Sequence, residues 1–209
     1  IDTPAMAQMI QSRAWRFGLA FVHPLGALTQ GLEGKLLTDM AALDEAGCVG
    51  VSNALEPVTD TLVMRRAMEY AATFGLTVHL HAEDPWLRND GCVHEGEVGT
   101  RLGLPGIPEA AETVAVARDL ALIEQTGVRA HFGGLTSHRA LAVFRGRAQE
   151  WLDARLVQDE QAVPGQPGLA EGRIAPAAGP VLGQAAVKSG HRNWRWSRSP
   201  SHGIVIERA

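Results

Sequence analysis

The chain has 209 residues, of which 45% are hydrophobic and 20% charged, so it is long enough for one domain with a sizeable core. The formal net charge of -4 hides an asymmetry, because residues 1–144 carry 10 Lys/Arg against 17 Asp/Glu, whereas residues 145–209 carry 9 against 6. Neither part has a dense basic stripe, which argues against a nucleic-acid-binding protein.

Targeting signals and disulfides are not expected. No apolar run approaches the roughly 18 residues that span a bilayer, and residues 1–20 lack the basic start and apolar core of a signal peptide. Cys48 and Cys92 follow no CxxC pattern and suit a reducing compartment, so we expect a cytoplasmic protein. The first residue is Ile1 rather than Met, which indicates a chain that is processed or incomplete at its amino end.

Apolar helix faces alternate with short β-rich segments in the first part of the chain. Thr3-Pro4 suits a helix start, and Gly47 and Gly75 suit helix ends. Thr59, Asp60 and Thr61 offer capping choices for the third helix. The pattern predicts helices over residues 4–16, 33–46 and 60–74, and strands over residues 18–25 and 48–52.

The segment 77–81 is predicted to be a strand whose alternation places His79 and His81 on one face and Val78 and Leu80 on the other. Two imidazoles on one face are a candidate metal pair. Without further ligands, such a pair is more often a structural or solvated feature, so the spacing alone does not predict a zinc site.

A polar loop rich in Gly, Asp and Glu follows, and then a helix over 107–125, a strand over 128–132 and a helix capped by Ser137. The order is one helix and then four strand–helix units, which predicts an α/β fold with parallel strands. A barrel section and an open doubly wound sheet both satisfy this order. No GxGxxG or Walker sequence follows a strand, which weakens a nucleotide-binding interpretation.

The pattern stops near Phe144. Residues 146–209 hold scattered prolines and glycines without strand–helix alternation, and we expect them to form an irregular tail. The tail would be either disordered or the product of a reading-frame shift.

Several long phrases resemble the dihydroorotase family of the amidohydrolase superfamily over residues 1–145. They are IDTP, GALTQGLEG, GCVGVSN, TLVMRRAMEYA, HAEDPWL, HEGEVGTRLGLPGIPEAAETVAVARDLAL and VRAHFGGLTSHRAL. The resemblance implies a metal-dependent fold, here a partial (β/α)8 TIM-type barrel, since a complete one takes about 250 residues. An active member hydrolyses or forms the ring amide of dihydroorotate in pyrimidine synthesis, with zinc supplying a hydroxide nucleophile.

Few functional positions of the family carry over. His81 corresponds to one histidine ligand, and His79 is an additional candidate. The carboxylate that bridges the metals falls at Asn53 or Ala54, and a further histidine ligand falls at Gly134. An upstream HxH pair would precede the chain, and the late catalytic Asp has no counterpart. The resemblance therefore implies no catalytic residue and no bound cofactor, with zinc expected only if the protein is active.

This pattern is similar to the dihydroorotase-like chains that accompany some bacterial aspartate transcarbamoylases as non-catalytic partners. It implies aspartate transcarbamoylase as partner, an oligomer, and no nucleic acid or membrane. One alternative is an active zinc-dependent dihydroorotase with His79 or His131 as a replacement ligand and other ligands outside this chain. Another is a non-functional partial gene product.

Overall fold

A computed structural model describes residues 1–147 and, by their backbone, three further strands at 185–187, 194–198 and 204–208. The helices are α1 Pro4–Phe17, α2 Met40–Glu45, α3 Thr61–Thr73, α4 Pro85–Arg88, α5 Glu97–Leu102, α6 Glu109–Thr126 and α7 over residues 138–147, with a 3-10 turn at Gln30–Leu32. The strands are β1 Gly26–Ala27, β2 Gly50–Ser52, β3 Thr77–His81, β4 Val93–His94, β5 Gly106–Ile107, β6 Arg129–Gly133, β7 Ala185–Val187, β8 Trp194–Arg198 and β9 Ile204–Arg208.

The main sheet has seven strands in the order β1-β2-β3-β6-β9-β8-β7. β1, β2, β3 and β6 are parallel neighbours. The helices α2, α3, α6 and α7 follow them in the chain, with the short elements α4, β4, α5 and β5 between β3 and α6. The predicted order of one helix and four strand–helix units is confirmed, as is a partial TIM-type barrel with parallel strands. β9 pairs antiparallel with β6 and lies on the side of β6 that faces away from β3.

One face of the parallel strands packs against the helices and forms the main core. Val78, Leu80, Ala130 and Phe132 lie on this face and are at most 5% exposed. α6 contributes Val116, Leu120 and Ile123, as the spacing of that helix predicts. The other face of the strands is only partly buried, and it carries the polar side chains.

Two predicted elements are wrong in extent. Residues 18–25 form no strand; Leu19 and Phe21 are 90% and 87% exposed, and pairing with β2 begins only at Gly26. The helix predicted over 33–46 is limited to α2, because the Asp39 carboxylate caps it by accepting from the Ala42 N–H at 3.1 Å. The residues before Asp39 form a turn instead, in which Thr29 and Leu37 make an isolated antiparallel β-bridge.

The polar loop between β3 and α6 contains regular structure that the sequence did not predict. α4 is capped by Asp84, which accepts from the N–H groups of Trp86 and Leu87 at 3.0 and 2.9 Å. β4 and β5 then form a small parallel pair of their own. This excursion leaves the sheet at the carboxyl end of β3, so it lies beside the edge where the polar residues gather.

The three strands β7, β8 and β9 also lie where an irregular tail was predicted, and they pair antiparallel to one another in sequence order. The rest of the 146–209 segment lies outside the described residues. Within the part of the chain that the structure describes, no helix is both long enough and apolar enough to cross a membrane.

Candidate functional site

The candidate site is the edge at which the parallel strands end. β2 ends at Ser52 and leads into Asn53, β3 ends at His81, and β6 ends at Gly133 and leads into Gly134. Because β2, β3 and β6 are parallel neighbours, these ends meet on one edge of the sheet. The structure therefore brings the sequence-predicted positions to the edge that carries chemistry in (β/α)8 barrels.

Asn53 is buried, and its side chain forms three hydrogen bonds within the protein. Its Oδ1 accepts a hydrogen bond from the Thr29 hydroxyl at 2.7 Å. Its Nδ2 donates to the carbonyl oxygens of Leu32 and Glu56 at 3.1 and 2.8 Å. The residue ties together the turns after β1 and β2, and it offers no anionic oxygen for a metal.

Ala54 and Gly134 supply no ligating atom either. Ala54 is exposed and adopts a left-handed backbone with φ of 54°, its N–H donating to the Ser52 hydroxyl at 3.0 Å. Gly134 also has a positive φ, of 70°, and a Cβ built on it meets no atom within 4 Å. A larger side chain has space at Gly134, but the backbone there favours glycine.

His81 is held by an acidic neighbour. Its Nε2 lies 3.4 Å from Glu83 Oε2, and Glu83 in turn forms an ion pair with Arg88, whose Nε lies 3.0 Å from Oε1. The predicted common face of His79 and His81 is confirmed. Both side chains are partly buried, whereas Val78 and Leu80, which alternate with them along the strand, are buried. His81 nevertheless contacts Glu83, not His79.

His79 instead meets His131 across the β3–β6 pair. The two residues are direct register partners, and their Nδ1 atoms lie 2.9 Å apart with the rings at 78° to each other. Burial lowers the pKa of both imidazoles, and the neighbouring His131 lowers the pKa of His79 further. The short contact between the two rings requires one Nδ1–H to donate to the lone pair of the other Nδ1.

The residues present do not fit the zinc centre that the dihydroorotase resemblance implies. Catalytic zinc takes about three protein ligands and an open position. His81 is the one inherited ligand, whereas Asn53 is committed to structural hydrogen bonds and Gly134 has no side chain. Over residues 1–147, no three His, Cys, Asp or Glu side chains converge closely enough to hold a metal.

Asp119 on α6 is a buried charged residue that the sequence did not single out. Burial raises its pKa to about 6, against the opposing effect of Arg118, whose Nε donates to Asp119 Oδ1 at 2.8 Å. The same guanidinium donates to the Val58 carbonyl at 3.1 Å. The pair therefore links α6 to the turn before α3.

Two features of the edge were not expected from the sequence: the Glu83 contact to His81 and the histidine pair. Glu83 lies two residues after His81 in the HAED phrase, and this spacing could have indicated their contact. The contact of His79 with His131 depends on the register of two strands 52 residues apart. Only the shared position of both histidines, near the ends of adjacent parallel strands, could have indicated it.

The fold and the edge together define a section of a (β/α)8-type barrel whose strand ends carry polar side chains. The Dihydro-orotase-like family model matches residues 2–140. The chain therefore belongs to the dihydroorotase-like family.

Individual relatives agree with the family match. The chain is 49% identical over 150 residues to the dihydroorotase-like protein of Pseudomonas putida. This match covers 72% of this chain and 35% of the relative. It is 51% identical over 141 residues to the dihydroorotase-like protein of Pseudomonas aeruginosa, with 68% and 33% covered. The dihydroorotase of Anaeromyxobacter sp. (strain K) is 43% identical over 144 residues, with 69% and 33% covered. The matched region thus spans about a third of the length of these relatives.

Proposed function

We propose that this chain is a catalytically defective dihydroorotase-family protein of pyrimidine biosynthesis that acts as a structural partner of aspartate transcarbamoylase. The observation that carries the proposal is the state of Asn53. The family's metal-bridging carboxylate falls at Asn53 or Ala54; Ala54 has no ligating atom, and the neutral amide of Asn53 makes three hydrogen bonds within the protein.

The loss of catalysis follows from what zinc would need. In an active member, zinc supplies a hydroxide nucleophile and polarises the ring amide. Here the Asn53 side chain carries no negative charge, Gly134 has no side chain to bind a metal, and the His81 ring contacts the Glu83 carboxylate. One inherited ligand cannot hold a catalytic zinc ion in place.

A role in assembly has support from the surface. The end of α1 and the segment after it expose several large apolar side chains, with Trp15, Leu19 and Phe21 more than 80% exposed. Exposed apolar surface of this kind is typical of protein interfaces. The chain is also more identical to two relatives called dihydroorotase-like, at 49% and 51%, than to the dihydroorotase at 43%.

The partner is tested by co-expressing the complete gene product that contains these residues with aspartate transcarbamoylase from the same organism. We expect the two to co-elute in size-exclusion chromatography, with a light-scattering mass larger than that of either alone. Phe21→Ser should weaken the complex. Leu62→Ser is the matched control, since Leu62 is an exposed apolar residue on α3, at 58%. A gene product that elutes alone at every concentration would contradict the proposal.

The second candidate is an active zinc-dependent dihydroorotase whose remaining ligands lie outside this chain. The close imidazoles of His79 and His131 favour it, because histidine is a common zinc ligand. Elemental analysis separates the two functions: near-stoichiometric zinc that is lost in His81→Ala, with turnover lost in parallel, would replace the scaffold role with catalysis.

A third candidate is a non-functional partial gene product. The family match ends at residue 140, close to the change of composition near Phe144. Reading the nucleotide sequence around codons 140–160 tests it. An alternative frame that restores a dihydroorotase-like continuation would support this candidate, and its absence would remove the main support.

A further inference from the structure

The histidine pair on the partly buried face of the sheet is unlike the inherited positions at the edge. His79 and His131 approach through Nδ1 at 2.9 Å, whereas His81 contacts Glu83 through Nε2 at 3.4 Å. We propose that His79 and His131 form a two-histidine site for a divalent late transition-metal ion, separate from the family positions Asn53, His81 and Gly134.

The separation of the two nitrogens is close to what a shared metal ion requires. Metal–imidazole bonds of about 2.0–2.1 Å at a tetrahedral angle put two ligand nitrogens about 3.3 Å apart. The two Nδ1 atoms lie 2.9 Å apart, so this separation needs to grow by only a few tenths of an ångström, together with a turn of the rings that directs both nitrogens at the ion. Direct register pairing of the two residues on adjacent strands holds the rings in this arrangement.

The backbone beside the pair is fitted to the His79 ring. A Cβ built on Gly50, on the neighbouring strand β2, would lie 3.1 Å from both Cδ2 and Nε2 of His79. Glycine at this position therefore leaves room for the imidazole. Ser52 on the same strand donates its hydroxyl to the His79 carbonyl at 2.9 Å, which fixes the backbone of that residue.

Metal binding needs a ring nitrogen that presents a lone pair. The contact between the two Nδ1 atoms at 2.9 Å already requires one of them to accept through its lone pair. A metal on both Nδ1 atoms places a proton on each Nε2. The Nε2 of His131 is buried without a hydrogen-bond partner, which costs affinity.

The remaining coordination positions fall to water, because no third ligating side chain converges on the pair among residues 1–147. Imidazole ligands favour Cu²⁺, Ni²⁺ and Zn²⁺, and Cu²⁺ binds tightest in this series. Two protein ligands and an unpaired Nε2–H make this a site of moderate affinity. It lacks the three ligands of a catalytic zinc centre, so it is compatible with a chain that has no hydrolase activity.

The untagged chain is titrated with Cu²⁺ and, separately, Zn²⁺ by calorimetry, and the copper form is examined by electron paramagnetic resonance. We expect one ion per chain and coupling to two nitrogens. His79→Gln and His131→Gln should each weaken binding at least about tenfold, because loss of a ligand exceeds loss of an outer-shell contact. His138→Gln is the control, since His138 is exposed.

A readout on the unsubstituted chain covers the case in which a variant does not fold. Nitrogen NMR with diamagnetic Zn²⁺ should shift both Nδ1 signals and leave the His81 signals in place. No bound ion, unchanged affinity in both variants, or binding abolished by His81→Gln alone would overturn the proposal. Dihydroorotate turnover is scored separately, so failure of this site and failure of the scaffold role remain distinct.

Discussion

The hydroxyl of Thr29 donates to Oδ1 of Asn53 at 2.7 Å, in a buried contact between the turns that follow β1 and β2. Both residues are at most 5% exposed. The Thr29 hydroxyl also accepts from the Gly34 N–H at 2.9 Å. Asn53, at the carboxyl edge of the sheet where barrel enzymes keep their chemistry, is therefore part of the packing of two turns.

Asn53→Asp should destabilise the protein by about 2 kcal/mol and restore no hydrolysis. The carboxylate keeps the Thr29 contact but loses both donor hydrogens, and it faces the carbonyl oxygens of Leu32 and Glu56. Urea unfolding measures the change, with the exposed Asn89→Asp as control. An unchanged midpoint would show that the amide hydrogen bonds do not hold these turns together.

The raised pKa of Asp119 predicts that the stability of the protein depends on pH. Burial raises its folded-state pKa from 3.8 to about 6, so the folded protein binds more protons than the unfolded chain between these values. The free energy of unfolding should therefore fall as pH rises from about 4 to about 6, by an amount on the order of 3 kcal/mol from this group. Above about pH 6 its contribution is constant.

The contribution of Asp119 is isolated by Asp119→Asn, which keeps an oxygen for Arg118 and removes the titration. The difference in unfolding free energy between the parent and this variant should change over pH 4 to 6 in the stated direction. Asp90→Asn, at an exposed position, should leave the pH profile of the parent unchanged. A difference that stays flat with pH would contradict the raised pKa.

Gly50→Ala tests the close approach of β2 to its neighbour. The new Cβ would lie 2.7 Å from the Thr77 carbonyl oxygen and 3.1 Å from the His79 ring. We expect a loss of about 1 to 3 kcal/mol, as for overpacked interiors. Gly146→Ala serves as control, because a Cβ there meets nothing within 4 Å and alanine favours the helix. Equal stability of the two variants would refute the close contact.

Glu112 on α6 fixes the segment after β6. Its carboxylate accepts from the Thr136 N–H and hydroxyl, both at 2.8 Å, and from the Ser137 N–H at 3.0 Å. Glu112→Ala should cost about 2 to 3 kcal/mol, because three charge-assisted hydrogen bonds are lost. Thermal unfolding measures this, with the exposed Glu45→Ala expected within about 0.5 kcal/mol of the parent.

Local pattern was sufficient for the elements with strong periodicity. The alternation in residues 77–81 gave β3 with the correct faces, and the spacing of Val116, Leu120 and Ile123 gave the inner face of α6. The third helix was also predicted, with Thr59, Asp60 and Thr61 as capping choices; in the structure Asp60 is the cap and accepts from the Leu62 and Val63 N–H groups.

Features set by distant contacts could not be predicted in the same way. The apolar segment 18–25 has strand-like composition, but composition does not supply a pairing partner, and the strand is confined to Gly26–Ala27. The burial of Asp119 and the meeting of His79 with His131 depend on packing and register between segments far apart in the chain. The family positions were identified by resemblance, whereas the hydrogen bonds that commit Asn53 needed the structure.

The proposal that the protein is catalytically defective is tested most directly by dihydroorotate hydrolysis with the purified complete gene product, supplied with zinc. An authentic dihydroorotase assayed in parallel is the positive control. We predict no turnover above the zinc-containing buffer. Turnover that requires zinc and disappears in His81→Ala would contradict the proposed non-catalytic role.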